Sequence, residues 1–210
     1  MIDHILYGVH DLDAEVGSLA STFGVSPSYG GQHVDLGTAN HLLDLGEEAY
    51  LEIIGPDPAQ PAPEGGRILG LDRMMSAGVI TWCARVDDID AAVERANNLG
   101  FAYPEPLRME RASAEGTLSW RLALNDFENP GGLAPLLIRW DEGVRHPSES
   151  AAKGLQLVSM HGQHPSPGRI EALIDGLGLD LEIRRGPQAG LMVRVATPGG
   201  EVPLRVASFG

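Results

Sequence analysis

Val9-His10-Asp11-Leu12-Asp13-Ala14-Glu15-Val16 returns later in the chain as Val86-Asp87-Asp88-Ile89-Asp90-Ala91-Ala92-Val93, with six of eight positions agreeing when Leu and Ile count together. Each copy follows an apolar run, residues 2–9 or 79–86, that reads as a strand. Each opens an amphipathic stretch with an aspartate, Asp11 or Asp88, placed as an N-cap. Leu12, Val16, Leu19 and Phe23 form the apolar stripe of the first predicted helix; Ile89, Val93, Ala96 and Leu99 form that of the second. Both helices run out at a glycine, Gly24 or Gly100, where the chain turns through positive φ. A repeat of this kind fixes the architecture before any single element is assigned.

Strand candidates follow each helix. The first copy offers residues 29–35, 40–45 and 49–54; the second offers 109–111, 117–124 and 133–140, with a connection at 125–132. The fold class expected is therefore α+β, with strand, helix, three-strand modules at 1–57 and 78–140. Residues 58–77, opening with a Pro-rich stretch, form an extended linker. After a second linker at 141–153, a partial third module is expected over 154–210: a strand at 155–161, a helix at 165–177 and strands near 181–184, 191–196 and 202–206.

Composition narrows the partners. With 210 residues and 43% hydrophobic content the chain can bury a substantial core. A formal charge of -14 and one lysine, Lys153, argue against a nucleic-acid binder, because phosphate contacts need clustered Lys and Arg. No apolar run approaches the roughly 20 residues of a membrane span, and the N-terminal residues lack the pattern of a signal peptide, so no membrane partner and a cytoplasmic location are expected. Cys83 is the only cysteine and sits in an apolar run, which reads as a buried structural thiol. Dinucleotide, Walker and nucleophile-elbow glycine motifs are missing from the sequence.

Ile2-Asp3-His4-Ile5-Leu6-Tyr7, Gly30-Gly31-Gln32-His33, Gly37-Thr38-Ala39-Asn40-His41-Leu42-Leu43 and Tyr50-Leu51-Glu52-Ile53-Ile54-Gly55-Pro56 carry a resemblance to the vicinal oxygen chelate superfamily, and within it to its glyoxalase-like group. The resemblance implies a curled mixed sheet around a cleft, with a divalent metal held by side chains of the first and last strand of each module. Carried over by position, the metal ligands would be His4 and Glu52. An imidazole and a carboxylate suit Fe, Mn, Zn, Ni or Co, which would polarise two adjacent oxygens of a small substrate in a lyase, isomerase or dioxygenase reaction. In the second module Thr81 falls opposite His4, and Leu137 falls opposite Glu52. Neither is a ligand, so the remaining donors would come from His33, His41, His161, His164 or water. The same resemblance implies an alternative, a non-catalytic protein of the bleomycin-resistance type that sequesters a small molecule. It also implies a homodimer.

Among further candidates, His33 and Glu52 are assigned catalytic roles, His33 as a general base. Asn40, Tyr50, Trp82, Arg85 and Arg121 are assigned to substrate binding. For each a plainer reading stays open: turn chemistry around Gly37 for His33 and Asn40, core packing for Tyr50 and Trp82, surface ion pairs for the two arginines. His164 with Pro165 reads equally well as the start of a helix.

Overall fold

The computed structural model describes residues 1–34, 36–113, 116–125 and 129–210, with backbone alone at 112 and 113. Asp35, at the end of the predicted strand 29–35, and residues 126–128, inside the predicted connection 125–132, lie outside the described residues. The first repeat folds as β1 (Ile2–Gly8), α1 (Leu12–Phe23), β2 (Ser28–His33), β3 (Thr38–Gly46) and β4 (Ala49–Pro56). The second folds as β6 (Gly78–Arg85), α2 (Ile89–Asn98), β7 (Leu107–Ser113), β8 (Gly116–Ala123) and β9 (Leu136–Trp140).

Local chemistry sets these boundaries. Asp11 accepts a hydrogen bond from the Ala14 amide and Asp88 from the Ala91 amide, each satisfying an amide that the first helical turn leaves unpaired. Gly24 closes α1 at φ 68°. In α2 the buried stripe is Ile89, Ala92, Val93 and Ala96, whereas Leu99 at the C-cap is 42% exposed, one turn position away from the stripe that the periodicity assigned it.

The two repeats join into one eight-stranded mixed sheet in the order β2-β3-β4-β1-β6-β9-β8-β7. β1 and β6, the first strand of each repeat, pair antiparallel at the centre, and each also pairs parallel with the last strand of its own repeat. The sheet curls until its two edge strands, β2 and β7, approach each other across a seam. Side-chain alternation then sends one face outward and one inward. Ile5, Tyr7, Leu51, Ile53 and Leu137 pack outward beneath the helices; Leu6, Ile54, Cys83, Trp120, Leu122, Leu136 and Ile138 pack inside the curl.

The predicted linkers carry short elements: a 3-10 turn at Ile68–Arg73 running into β5 (Met74–Ser76), and a one-turn helix α3 (Pro147–Ser150). The C-terminal segment follows the expected element order, β10 (Gln156–His164), α4 (Gly168–Gly176), β11 (Ile183–Arg185), β12 (Gly190–Thr197) and β13 (Gly200–Pro203), before β14 (Ser208–Phe209) pairs with β5. Its sheet order, β11-β10-β12-β13, differs from that of the repeats. β10 pairs parallel with the strand after its helix, while β1 and β6 pair parallel with the last strand of their modules. Leu173, Ile174, Leu191, Val193 and Val195 of this segment share the outer core with α1 and α2, so it packs onto the repeats and leaves the inner face open.

Candidate functional site

His4 and Glu52 reach the inner face by strand parity: His4 and Leu6 from β1, Tyr50, Glu52 and Ile54 from β4, all lining one cleft. Asp3 would point to the opposite face in a regular strand. A bulge between Ile2 and His4 in the β1–β6 pairing places it beside His4 instead. Asp3 Oδ1 lies 2.7 Å from His4 Nδ1, and Glu52 Oε2 lies 3.3 Å from His4 Nε2. Tyr50 stacks on the His4 ring with centroids 4.7 Å apart, which holds the ring plane.

A second chain of hydrogen bonds enters from the seam. Arg111, on β7, donates from Nη1 to Asn40 Oδ1 at 2.8 Å. A guanidinium is only a donor, so the amide oxygen of Asn40 must face it. The Asn40 NH2 group therefore faces the other way, donating to Glu52 Oε1 at 2.6 Å and lying 3.4 Å from His33 Nε2. His33 Nε2 then carries the lone pair and Nδ1 the proton, which Thr38 Oγ1 receives at 3.0 Å. His33 Nε2 stands 3.7 Å from Glu52 Oε1. Two glycines make the room for this arrangement. A Cβ on Gly30 would overlap Asn40 Oδ1, and one on Gly31, whose φ of 144° already disfavours a side chain, would stand 2.8 Å from Arg111 Cδ.

Burial and charge act in opposition here. Burial alone would push the Glu52 carboxyl up, but neighbouring His4 and His33, the Asn40 hydrogen bond and Arg111 outweigh it, so the group is held below its ordinary value and ionised. Burial dominates at His33 and lowers it, against the pull of Glu52, which keeps the ring neutral at pH 7. Burial likewise opposes ionisation of Asp3, yet hydrogen bonds from His146 and His4 and their charges hold it far below the usual carboxylate range. Asp3 Oδ2 also accepts from Arg85 Nε and from Trp140 Nε1, both at 2.9 Å. The rest of the cleft is apolar: Leu136, Ile138 and Trp140 from β9, Trp120 and Leu122 from β8, and Leu69 from the 3-10 turn.

The sequence matches the model of the glyoxalase-like domain over residues 2–178. The chain belongs to the glyoxalase-like domain family. This places it in the vicinal oxygen chelate superfamily. Among solved structures it is similar to a hypothetical protein from Staphylococcus aureus, with a TM-score of 0.64 and 16% identity over 99% of this chain and 88% of that one. It is also similar to methylmalonyl-CoA epimerase from Mycobacterium tuberculosis (TM-score 0.43, 19% identity, 66% and 85% of the two chains) and to that from Streptomyces coelicolor (0.44, 18%, 68% and 97%). At these identities the likeness concerns the fold. A search of curated proteins finds no match.

For this member of the glyoxalase-like family, strand register corrects one expected correspondence. His4 pairs with Cys83 and Leu6 with Thr81 across the two central strands, so Leu6 and Cys83 are equivalent under the pseudo-twofold. Leu6 stands beside Glu52 and Cys83 beside Leu136. The counterpart of Glu52 is thus Leu136, whereas Leu137 packs in the outer core. The counterpart of His4 is Thr81, whose hydroxyl donates to the carbonyls of Gly132 and Ala134 at 3.1 and 3.4 Å. Among the described residues no group of three or more His, Cys, Asp or Glu side chains is arranged to hold a metal ion. The residues present do not fit the divalent metal that the family implies.

His4, His33, Asn40, Tyr50 and Glu52 come together in the cleft. Trp82, Arg85 and Arg121 do not join them. Trp82 lies in the outer core with its indole N–H on Leu133 O at 3.0 Å, because the β6 alternation turns it outward. Arg85 sits one layer behind, on Asp3 and Glu48. Arg121 faces the outer side and forks onto Asp90 of α2 at 2.6 and 2.8 Å. His41 shares its strand parity with Ala39 and Leu43, which pack in the outer core; His161 lies on β10 beside Arg184, and His164 Nδ1 accepts from the Ser166 amide at the turn into α4. Cys83 is fully buried, and burial pushes its thiol well up. Sequence reasoning missed Arg111 and the role of Asp3. Arg111 alternates with Met109 on a predicted strand, and the Gly30-Gly31 pair hinted that something large crosses there.

Proposed function

We propose that the cleft takes a small organic molecule whose apolar body lies against Leu136, Ile138 and Trp120, and that the polar end of the cleft moves a proton at a carbon beside an oxygenated group of that molecule. Neutral His33 is the base: its Nε2 lone pair gives up the 3.4 Å contact with the Asn40 amide and takes the proton, the electron pair of the C–H bond moves toward the neighbouring carbonyl, and return of the proton to another face or carbon gives an isomerase outcome. Ionised Glu52, 3.7 Å from Nε2, stabilises the imidazolium that forms. The observation that carries the reading is the Arg111–Asn40 orientation, which leaves His33 Nε2 as an acceptor inside a largely apolar cleft. A metal-assisted lyase or dioxygenase reading is less well supported, because Thr81 and Leu136 stand where two ligands would be needed.

The test is solvent deuterium incorporation into small ketones and 2-oxo acids bearing an apolar substituent, followed by proton NMR. Exchange that depends on the protein and falls by about 100-fold or more in His33→Ala and in Glu52→Gln is expected. Burial lowers His33, so the rate should be flat above its ordinary value of 6.5 and decline only at lower pH. The apolar second half favours one other reading, sequestration of a ligand without chemistry. Binding seen by Trp120 and Trp140 fluorescence with exchange no faster than in buffer would establish sequestration and overturn proton transfer.

A further inference from the structure

Arg111 is the one guanidinium lining the cleft among the described residues, and it is only 9% exposed. A buried Arg is ordinarily matched by a carboxylate, because removing its charge from water without a counter-charge is costly. The carboxylates of this site are already occupied. Glu52 divides its oxygens between Asn40 and His4, and Asp3 serves His4, Arg85, Trp140 and His146. Arg111 instead makes its hydrogen bond to a neutral amide, through Nη1. Its buried Nε has no partner.

Nη1 being committed to Asn40, Nη2 and the buried Nε are the donors left without a partner, and an ionised oxygen group is the acceptor that the free N–H groups of a guanidinium suit. The guanidinium is not a loose surface arm. Gly31 lets it cross the seam between β2 and β7 at a distance that no side chain at 31 would permit, and Asn40 fixes its far end. A cation built in this way, with an unsatisfied donor and an apolar chamber beside it, has the composition of an anion anchor and lacks that of a structural ion pair.

We propose that Arg111 holds an anionic oxygen group of the ligand, and that the ligands of this cleft are small carboxylates with an apolar body. This rests on the small-molecule reading of the cleft and adds the ligand class to it. It also assigns to a fixed guanidinium the positive charge that a chelated metal would otherwise bring to an oxygenated ligand, in a cleft whose donor set does not fit a metal.

The experiment is isothermal titration of the full chain with 3-phenylpropanoate and with its neutral isostere 3-phenylpropanamide. In the wild-type protein the carboxylate is expected to bind about tenfold or more tightly than the amide, the usual scale for a hydrogen bond to a charged group. Arg111→Gln should level the two affinities, and Arg111→Lys should keep part of the preference. Equal affinities in the wild type would overturn the anchor while leaving the small-molecule cleft standing. A preference that survives Arg111→Gln would overturn the assignment to Arg111. Binding of neither compound would overturn this proposal and the small-molecule reading together. The wild-type comparison needs no variant, so it holds even where Arg111→Gln folds poorly.

Discussion

Replacing Asp3 by Asn removes one negative charge from a fully buried position while keeping the shape of the side chain. Asp3 accepts from His4, Arg85, Trp140 and His146 at 2.7 to 3.2 Å. An amide offers one oxygen to these donors and turns its own NH2 on the others. Breaking a buried ion pair by removing one partner costs about 3–5 kcal/mol. Arg85 keeps Glu48 and is partly exposed, so the lower end, about 3 kcal/mol, applies. Urea denaturation at pH 7 should record this as a midpoint lowered by about 1.5 M at an unchanged slope of about 2 kcal/mol/M. The pH dependence gives an independent check. The folded-state value of Asp3 is depressed far below the ordinary 3.8, so its stabilisation is fully present above 3.8 and is lost as pH falls from there toward the folded value. By pH 3 the wild type should have given up about 1 kcal/mol of its advantage over Asp3→Asn, at 1.36 kcal/mol per pH unit. A difference below about 1 kcal/mol at pH 7, or one that stays constant down to pH 3, would show that Asp3 is not the ionised centre of this network.

Gly30→Ala should displace Asn40 and cost about 1–3 kcal/mol in thermal unfolding, with weakened ligand binding; a change under about 0.5 kcal/mol would mean that the close approach is not structural. Trp82→Phe should lose one buried hydrogen bond and some packing, about 1–3 kcal/mol, without altering ligand affinity, and a selective loss of binding would restore Trp82 to the site. Arg121→Ala should stay within about 0.5 kcal/mol of wild type by urea denaturation, because its partner Asp90 is on the surface. Dialysis against Fe(II), Mn, Ni or Zn followed by elemental analysis should find well below stoichiometric retention, unaffected by His4→Ala. Stoichiometric retention that is abolished in both His4→Ala and Glu52→Gln would refute the reading of the donor set.

The two aspartate caps and the helical stripes behind them were legible because they depend on neighbours within a few residues. Strand parity was legible for the same reason: it put His4 with Leu6, and Glu52 with Tyr50 and Ile54, on one face each. Residue Arg121 was misread because parity tells two faces apart without saying which one the helices cover. Leu137 was matched to Glu52 by counting along the chain, and the β6–β9 register moved that match by one residue to Leu136. The C-terminal unit orders its strands differently from the repeats, a distinction that lies in pairing and leaves no local trace.

The sequence by itself determined the repeat, the capped helices and the faces on which His4 and Glu52 lie, since periodicity and capping are properties of contiguous residues. Only the tertiary structure decided what those side chains meet. A bulge turned Asp3 onto His4, curling of the sheet brought β7 against β2, and the Gly30-Gly31 gap admitted Arg111 to Asn40. The partners in the last contact are separated by 71 positions, and nothing in either segment encodes the other. The polar end of the cleft is a product of sheet closure, and closure is settled by packing across the whole molecule.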